Sequence, residues 1–498
     1  MDDNAIHEWL IKCFGPIQGE MAWQQISQLP EEIREQLMSQ DPSRLPNPSE
    51  VQQMMAAFSA GGLNTMGDMQ RTVEEGPINV KLAKSIALQQ ANASGSASSV
   101  SAVDGEAARR AMSEANLWLD TACEFNPAPG DPDVLTRAGW VEGTIDQWAK
   151  FAAPVAESMN DALASVISER LGGAFGDGEI AGMFAGPVPI PIPDGMKDPA
   201  QLMKLLGNTS FAMQLGHAAG NLSHEVHGSF DQGIALLKNP AGALSGFETT
   251  EKIPESEVLS FLALQEMAHA RLYASVPWLM PRFEALIGKY ARGISIDLDA
   301  MEEQLRDATS MDPESISGAV NLTKVVIPDT PEQREALASL ESLLAMVEGW
   351  VDCVVWRAGM AHLPHIEQLR EMMRRERAMG GPAERTFESL LGLQLRPKRM
   401  REATGLWEMI TAAEGPEGRD AKWSHPDLLP SLPGDKPADG ASPSSDAPSG
   451  SSSDANGSAS HPAADGKTGD IDWDAELSKL LGEDGEDGEN GNSEDTQA

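Results

Sequence analysis

Between Pro254 and Pro277 the chain reads ESEVLSFLALQEMAHARLYASV, and the spacing inside that stretch fits only a helix. Leu259, Leu262, Glu266, His269 and Tyr273 recur at intervals of three and four, so they share one broad helical face. Pro254 suits a first turn, and Glu255 and Glu257 favour the positive end of the helix dipole. The helical segment is drawn over Glu255–Leu279, with Pro277 as its stop signal, because the ring bars the preceding residue from helical angles. A helix this apolar belongs inside a protein. Glu266 and His269 at its middle therefore sit where an ionisable group needs a partner.

The centre of the stretch, Gln265-Glu266-Met267-Ala268-His269, is one residue short of the pattern H-E-x-x-H. In that pattern two histidines one turn apart bind zinc, and the glutamate beside the first takes a proton from the metal-bound water. Glu266 and His269 hold their positions, and Gln265 stands where the first ligand would be. Being four apart, Gln265 and His269 can point at one spot. A side-chain amide is nevertheless a weak zinc donor beside imidazole, thiolate or carboxylate.

With 498 residues, 41% of them hydrophobic, the chain can bury a large core in one to three domains. Its formal net charge of −39 opposes binding to a nucleic-acid backbone or an anionic membrane surface. Cys13, Cys123 and Cys353 are odd in number and far apart, which suits a reducing cytosol. The opening MDDNAIHEWL is acidic and lacks the apolar core of a signal peptide. The most apolar long run, Leu343 to Met360, contains Glu348, Asp352 and Arg357, so it reads as a buried helix and not a membrane span. A cytoplasmic protein with no membrane attachment is the expectation.

Taken in order, residues 1–75 read as a helical lead with flexible interruptions, and residues 76–430 as one domain of long helical patterns. ANASGSASSVSAVDGE is expected to be a linker, residues 172–196 a glycine-rich loop, and VPIPIP an extended piece within it. A helix beginning at DPAQLMKLL is expected to run through His227, and another helical stretch covers Asp297–Asp307. Thr330-Pro331-Glu332-Gln333 marks a helix start, with a capping Thr, Pro at the first position and Gln at the third. Strand-like segments are few, so the fold class is mainly α. From Ser431 the composition turns to Ser, Gly, Ala and Pro, with 16 acidic residues against 3 lysines, so 431–498 is expected to be a disordered acidic tail. Inside it, Ile471, Trp473, Leu477, Leu480 and Leu481 give residues 471–481 an amphipathic pattern. That segment either docks on its own domain, enters a partner's groove, or forms a transient helix.

Several blocks in this order carry a family likeness: EANLWLDTA (114–122), RAGWVEGTI (137–145), AHARLYASVPWL (268–279), VEGWVD (347–352), MGGPAERTF (379–387) and WSHPDLLP (423–430). Together they resemble the zincin-like metallopeptidase family, whose members carry the labels hydrolase and zinc-dependent metalloprotease. The resemblance extends over roughly residues 76–430. It implies a multi-helix zincin-like domain with few short strands, and a zinc site in members with the full motif. Carried over residue by residue, it makes His269 the second histidine ligand and Glu266 the general base. Glu348, in VEGWVD, is the candidate for the distant third ligand, since a lone carboxylate in so apolar a helix is costly. The alternative is that Glu348 pairs with Arg357, His269 or a backbone donor.

Other signals are weaker. His217, His224 and His227 form a reserve of donors if they share one side of a helix, although histidines so placed are more often surface or packing residues. RRER (374–377) and RPKRMR (396–401) have acidic neighbours and read as solvated helix faces, not a nucleic-acid site. Asp352 lies one turn after Glu348 and either supports it or is solvated, while His362 and His365 suggest no ligand geometry. Two functions follow. With a third donor for zinc beside His269 and Glu348, the chain would hydrolyse peptide or amide bonds, Glu266 taking a proton from water. Without one, it is a pseudoenzyme, an inactive zincin scaffold that binds a peptide or protein partner.

Overall fold

Apolar residues at helical spacing become buried helix faces throughout the computed structural model, which describes residues 3–27, 48, 71–72, 74–93, 99–171, 199–245, 253–294, 330–379 and 399–432. The described helices are α1 (Asp3–Ser27), α2 (Val80–Ala93), α3 (Ala102–Leu119), α4 (Arg137–Leu171), α5 (Pro199–Leu222), α6 (Glu255–Ser275), α7 (Leu279–Ala291), α8 (Pro331–Gly359), α9 (Ile366–Met379) and α10 (Met400–Ala421). Two short strands, β1 (Asp133–Val134) and β2 (Ala243–Leu244), pair in parallel, Asp133 opposite Ala243. The class is mainly α, as the scarcity of alternating segments requires.

Local sequence accounts for the helix ends. Thr330 caps α8 by accepting from the Gln333 amide, and Gln333 returns the bond to the Thr330 amide. Ser101 caps α3 by accepting from the Asp104 amide, so α3 begins inside the stretch expected to be linker, whose first three residues belong to α2. The helical segment drawn to Leu279 is in fact two helices: α6 ends at Ser275, Val276 leaves helical angles before Pro277, and α7 starts at Leu279. Likewise α5 stops at Leu222 and does not reach His227. Ser223 donates to the Gly220 carbonyl, and the backbone continues in turns through His224 and Glu225.

The core forms around α6, which is buried on every side from Phe261 to Leu272. A helix hydrophobic all round can only sit at the centre. It packs on α3, α8, α9 and β2, while α8 also packs on α7 and α10, and α2, α4 and α5 form a neighbouring group. Buried tryptophans cross-link these layers through their ring N–H groups. Trp407 donates to the Met346 carbonyl, Trp350 to Asp420, and Trp140 to the Gly228 carbonyl. Each such ring buries a large apolar area while keeping its one polar atom satisfied.

No helix among the described residues is long and apolar enough to cross a membrane. The acidic tail beyond Leu432 with its 471–481 segment, the 172–196 loop with VPIPIP, most of the N-terminal lead, the 297–307 stretch and most of MGGPAERTF lie outside the described residues.

Candidate active site

Three helices bring the ionisable groups of the core to one point. His269 comes from α6, Glu348 from α8 and Arg377 from the last turn of α9. His269 Nε2 lies 3.2 Å from Glu348 Oε1, and Arg377 Nη1 lies 2.5 Å from the same oxygen. The His269 and Glu348 side chains are each 2% exposed, and Arg377 is 12% exposed. Burial alone pushes the Glu348 carboxyl up, but the Arg377 charge and then His269 outweigh it and hold the group below the usual carboxylate range. Glu348 is thus an ionised carboxylate in the core, stabilised by a guanidinium and an imidazole. Its second oxygen, Oε2, is buried with no hydrogen-bond partner.

The imidazole is fixed from several directions. His269 Nδ1 lies 2.8 Å from the Gln265 carbonyl, which can only accept, so Nδ1 carries the proton and Nε2 is the nitrogen facing Glu348. Phe230 stacks on the ring at 5.5 Å with planes 7° apart, and also stacks on Tyr273. The Tyr273 hydroxyl donates to the Gly233 carbonyl at 2.5 Å. Burial, with the Glu348 charge beside it, pushes that phenol well above its usual range, so it stays a donor. Gly233 has φ 68°, and a Cβ there would come within 2.7 Å of Glu348 Oε1, so two requirements at once keep this position glycine.

Glu266 faces another task. Its carboxylate accepts from the Ser229 amide at 3.0 Å, from the Ser229 hydroxyl and from the Ala243 amide at 2.8 Å, all buried. One side chain of α6 thereby ties both ends of the 229–243 loop, whose far end is β2. Gly228 and Gly242 make room for it: a Cβ would lie 2.2 Å from Glu266 Oε2 at the first and 2.8 Å from Oε1 at the second. Burial pushes the Glu266 carboxyl up to about 7, against the lowering pull of the Ser229 and Ala243 bonds.

Gln265, Glu266, His269, His227, Asp231, Met373 and Arg377 line a small cleft between α6, α9 and the loop. Its cavity volume is about 10 Å³, room for about one water. Of the three reserve histidines, His227 alone among them lines this cleft. His217 meets Gln90 and His224 meets the Gln90 carbonyl, both turned toward α2.

Zinc would need three protein donors here. His269 and Glu348 offer two, with an amide at the third position. Among the described residues no three His, Cys, Asp or Glu side chains gather so as to hold a metal ion. The oxygen of Glu348 that faces His269 is already held by a cation. The residues present do not fit a zinc ion.

Two expectations about the surroundings are corrected. Asp352 does not touch Glu348, nor is it solvated. It is buried, bonded to Arg370 at 3.0 and 2.9 Å, to Arg374 at 2.5 Å and to the Thr404 hydroxyl at 3.1 Å. The RRER run is only in part the solvated face expected: Arg375 is exposed, whereas Arg374 and Arg377 turn inward onto Asp352 and Glu348. Arg370, Arg374 and Arg377 recur at intervals of four and three, the spacing that announces one face of α9. His362 stacks on Trp118 at 4.3 Å and His365 pairs with Glu257. Sequence reasoning missed Arg377 as the partner of Glu348, and Ser229 and Ala243 as the donors to Glu266.

The sequence model of the zincin-like metallopeptidase family matches residues 78–437. A solved structure described as a "putative hydrolase with a novel fold" from Chloroflexus aurantiacus aligns with 19% identity, covering 71% of this chain and 94% of that one, at a TM-score of 0.45. Comparison with curated proteins finds no match.

Proposed function

Since the chain belongs to the zincin-like metallopeptidase family, we propose that it is a member without zinc-dependent hydrolysis, a cytoplasmic pseudoenzyme that serves as a scaffold for a peptide or protein partner. The observation that carries this reading is the ion pair of Arg377 on Glu348, 2.5 Å long and buried, at the point where a third ligand and a metal would meet His269. Gln265 supports it, because the position that supplies the first imidazole in H-E-x-x-H holds a neutral amide. The bonding of Glu266 supports it further: three buried donors converge on its Oε1, so this carboxylate serves as an anchor for the 229–243 loop.

The rival reading is peptide or amide hydrolysis with zinc held by His269, Glu348 and a third donor. It draws on His227, which lines the same cleft. It also demands that Arg377 release Glu348. Metal analysis of the full chain, purified without chelators and assayed on a mixed peptide library, separates the two. The scaffold reading expects far less than one zinc per chain and no hydrolysis that depends on His269. Stoichiometric zinc that disappears in His269→Ala overturns it.

A further inference from the structure

The geometry points to Arg377 as a resident cation standing in for the metal. We infer that this guanidinium, and not the amide at Gln265 alone, keeps a divalent ion out, and that the site becomes a zinc site once both are changed. The inference rests on the metal-free reading above.

Four observations carry it. First, His269 Nδ1 is turned to the Gln265 carbonyl at 2.8 Å, so Nε2 is the nitrogen that meets Glu348 Oε1, 3.2 Å away. Arg377 brings a fixed positive charge to the same point, 2.5 Å from the shared oxygen. Second, 3.2 Å is also the separation of two donors on one tetrahedral zinc, about 3.3 Å for bonds of about 2.0 Å. The pair is therefore already spaced as ligands. Third, Glu348 Oε2 is buried without a partner, so the carboxylate keeps an unused acceptor in the core. Fourth, Gln265 stands one turn before His269 on the same helix and lines the same cleft as Arg377, so a histidine there would aim at the same spot.

Arg377 is also placed so that its charge can be removed. It reaches the site from the last turn of α9, it grips Glu348 through Nη1, and its Nε is buried without a hydrogen-bond partner. A zinc ion next to an intact Arg377 would set two cations side by side in a poorly solvated core, where their repulsion is screened least. Restoring the histidine at 265 leaves that repulsion in place. This is why a single reversion should fail.

The experiment uses the full chain in five forms: wild type, Gln265→His, Arg377→Met, the double variant Gln265→His/Arg377→Met, and Gln265→His/Arg377→Lys, which keeps a cation. Zinc binding is measured by competition with a chromophoric chelator, and cobalt(II) spectra report tetrahedral coordination. The double variant with Met should take up about one zinc per chain, lost again when His269→Ala is added, because three protein donors and a neutral surrounding then exist. Gln265→His and the Lys double variant should bind at least about 100-fold more weakly, the scale on which groups around the ligands tune metal affinity. Equal binding by Gln265→His alone overturns the role of Arg377 while leaving the metal-free wild type intact. Zinc in the wild type overturns the metal-free reading itself. Should Arg377→Met unfold the chain, Gln265→His/Arg377→Gln carries the test through its melting temperature. Zinc bound to the folded state must raise that temperature, and no zinc-dependent rise refutes the inference.

Discussion

Replacing Glu266 by alanine should cost the fold about 4 kcal/mol. The figure follows from what the carboxyl holds. The Ser229 and Ala243 amides, at 3.0 and 2.8 Å, lose their acceptor in a buried setting, and each unsatisfied buried donor costs about 1–3 kcal/mol. The Ser229 hydroxyl loses the same acceptor but can rotate to another, so it adds little. The measurement belongs below about pH 4.5, where the carboxyl is protonated in the folded and the unfolded chain alike and no ionisation penalty is relieved by removing it. Urea unfolding of wild type, Glu266→Ala and Glu266→Gln under those conditions reads the difference from the midpoints at constant slope. Glutamine keeps an oxygen where Oε1 stands, so Glu266→Gln should cost only about 1 kcal/mol. If Glu266→Ala lies within about 1 kcal/mol of wild type, the 229–243 loop does not hang on this side chain, and the anchoring argument fails.

Three more expectations come from the same geometry. Gly228→Ala should lower stability by about 2 kcal/mol or more in a thermal melt, because its Cβ would sit 2.2 Å from Glu266 Oε2 with packed backbone around it. Asp352→Ala should cost about 3–5 kcal/mol, since it strands the Arg370 and Arg374 guanidinia, and an unchanged unfolding midpoint would show that the pairs are solvated after all. The pH dependence has a definite sign: Glu266 titrates near 4.5 unfolded and about 7 folded, chiefly through burial, with Asp231 adding to the rise. The folded state therefore holds that proton more tightly, and the stability it contributes is complete below 4.5 and lost as pH climbs through 7. Relative to wild type, Glu266→Gln should gain on the order of 3 kcal/mol between pH 5 and 8, and a constant difference across that range would contradict the raised carboxyl.

Local chemistry was readable at several points along the chain. Thr330, Pro331 and Gln333 announce the start of α8, because a capping box is satisfied within four consecutive residues. The three–four spacing of Leu259, Leu262, Glu266 and His269 announces α6 in the same way, and its apolar character announces its burial. The ends of α5 and α6 were less legible, as a serine bond to the preceding turn and a proline two residues on decide them. The meeting of His269 with Glu348 was expected only through resemblance to a family. No spacing rule relates residues that lie 79 apart.

By itself, the sequence determined that this is a mainly helical protein, with an acid, an amide and an imidazole on one turn of its most buried helix. Periodicity and capping act over a few residues, so they are written where they act. Tertiary structure alone decided what those side chains do: that Glu266 ties a loop, that Arg374 and Arg377 turn inward from a run that looks solvated, and that a guanidinium takes the charge at Glu348. Buried charge is neutralised by whichever group packing brings within about 3 Å, and packing joins α6, α8 and α9 across stretches of chain in which no local preference records the encounter.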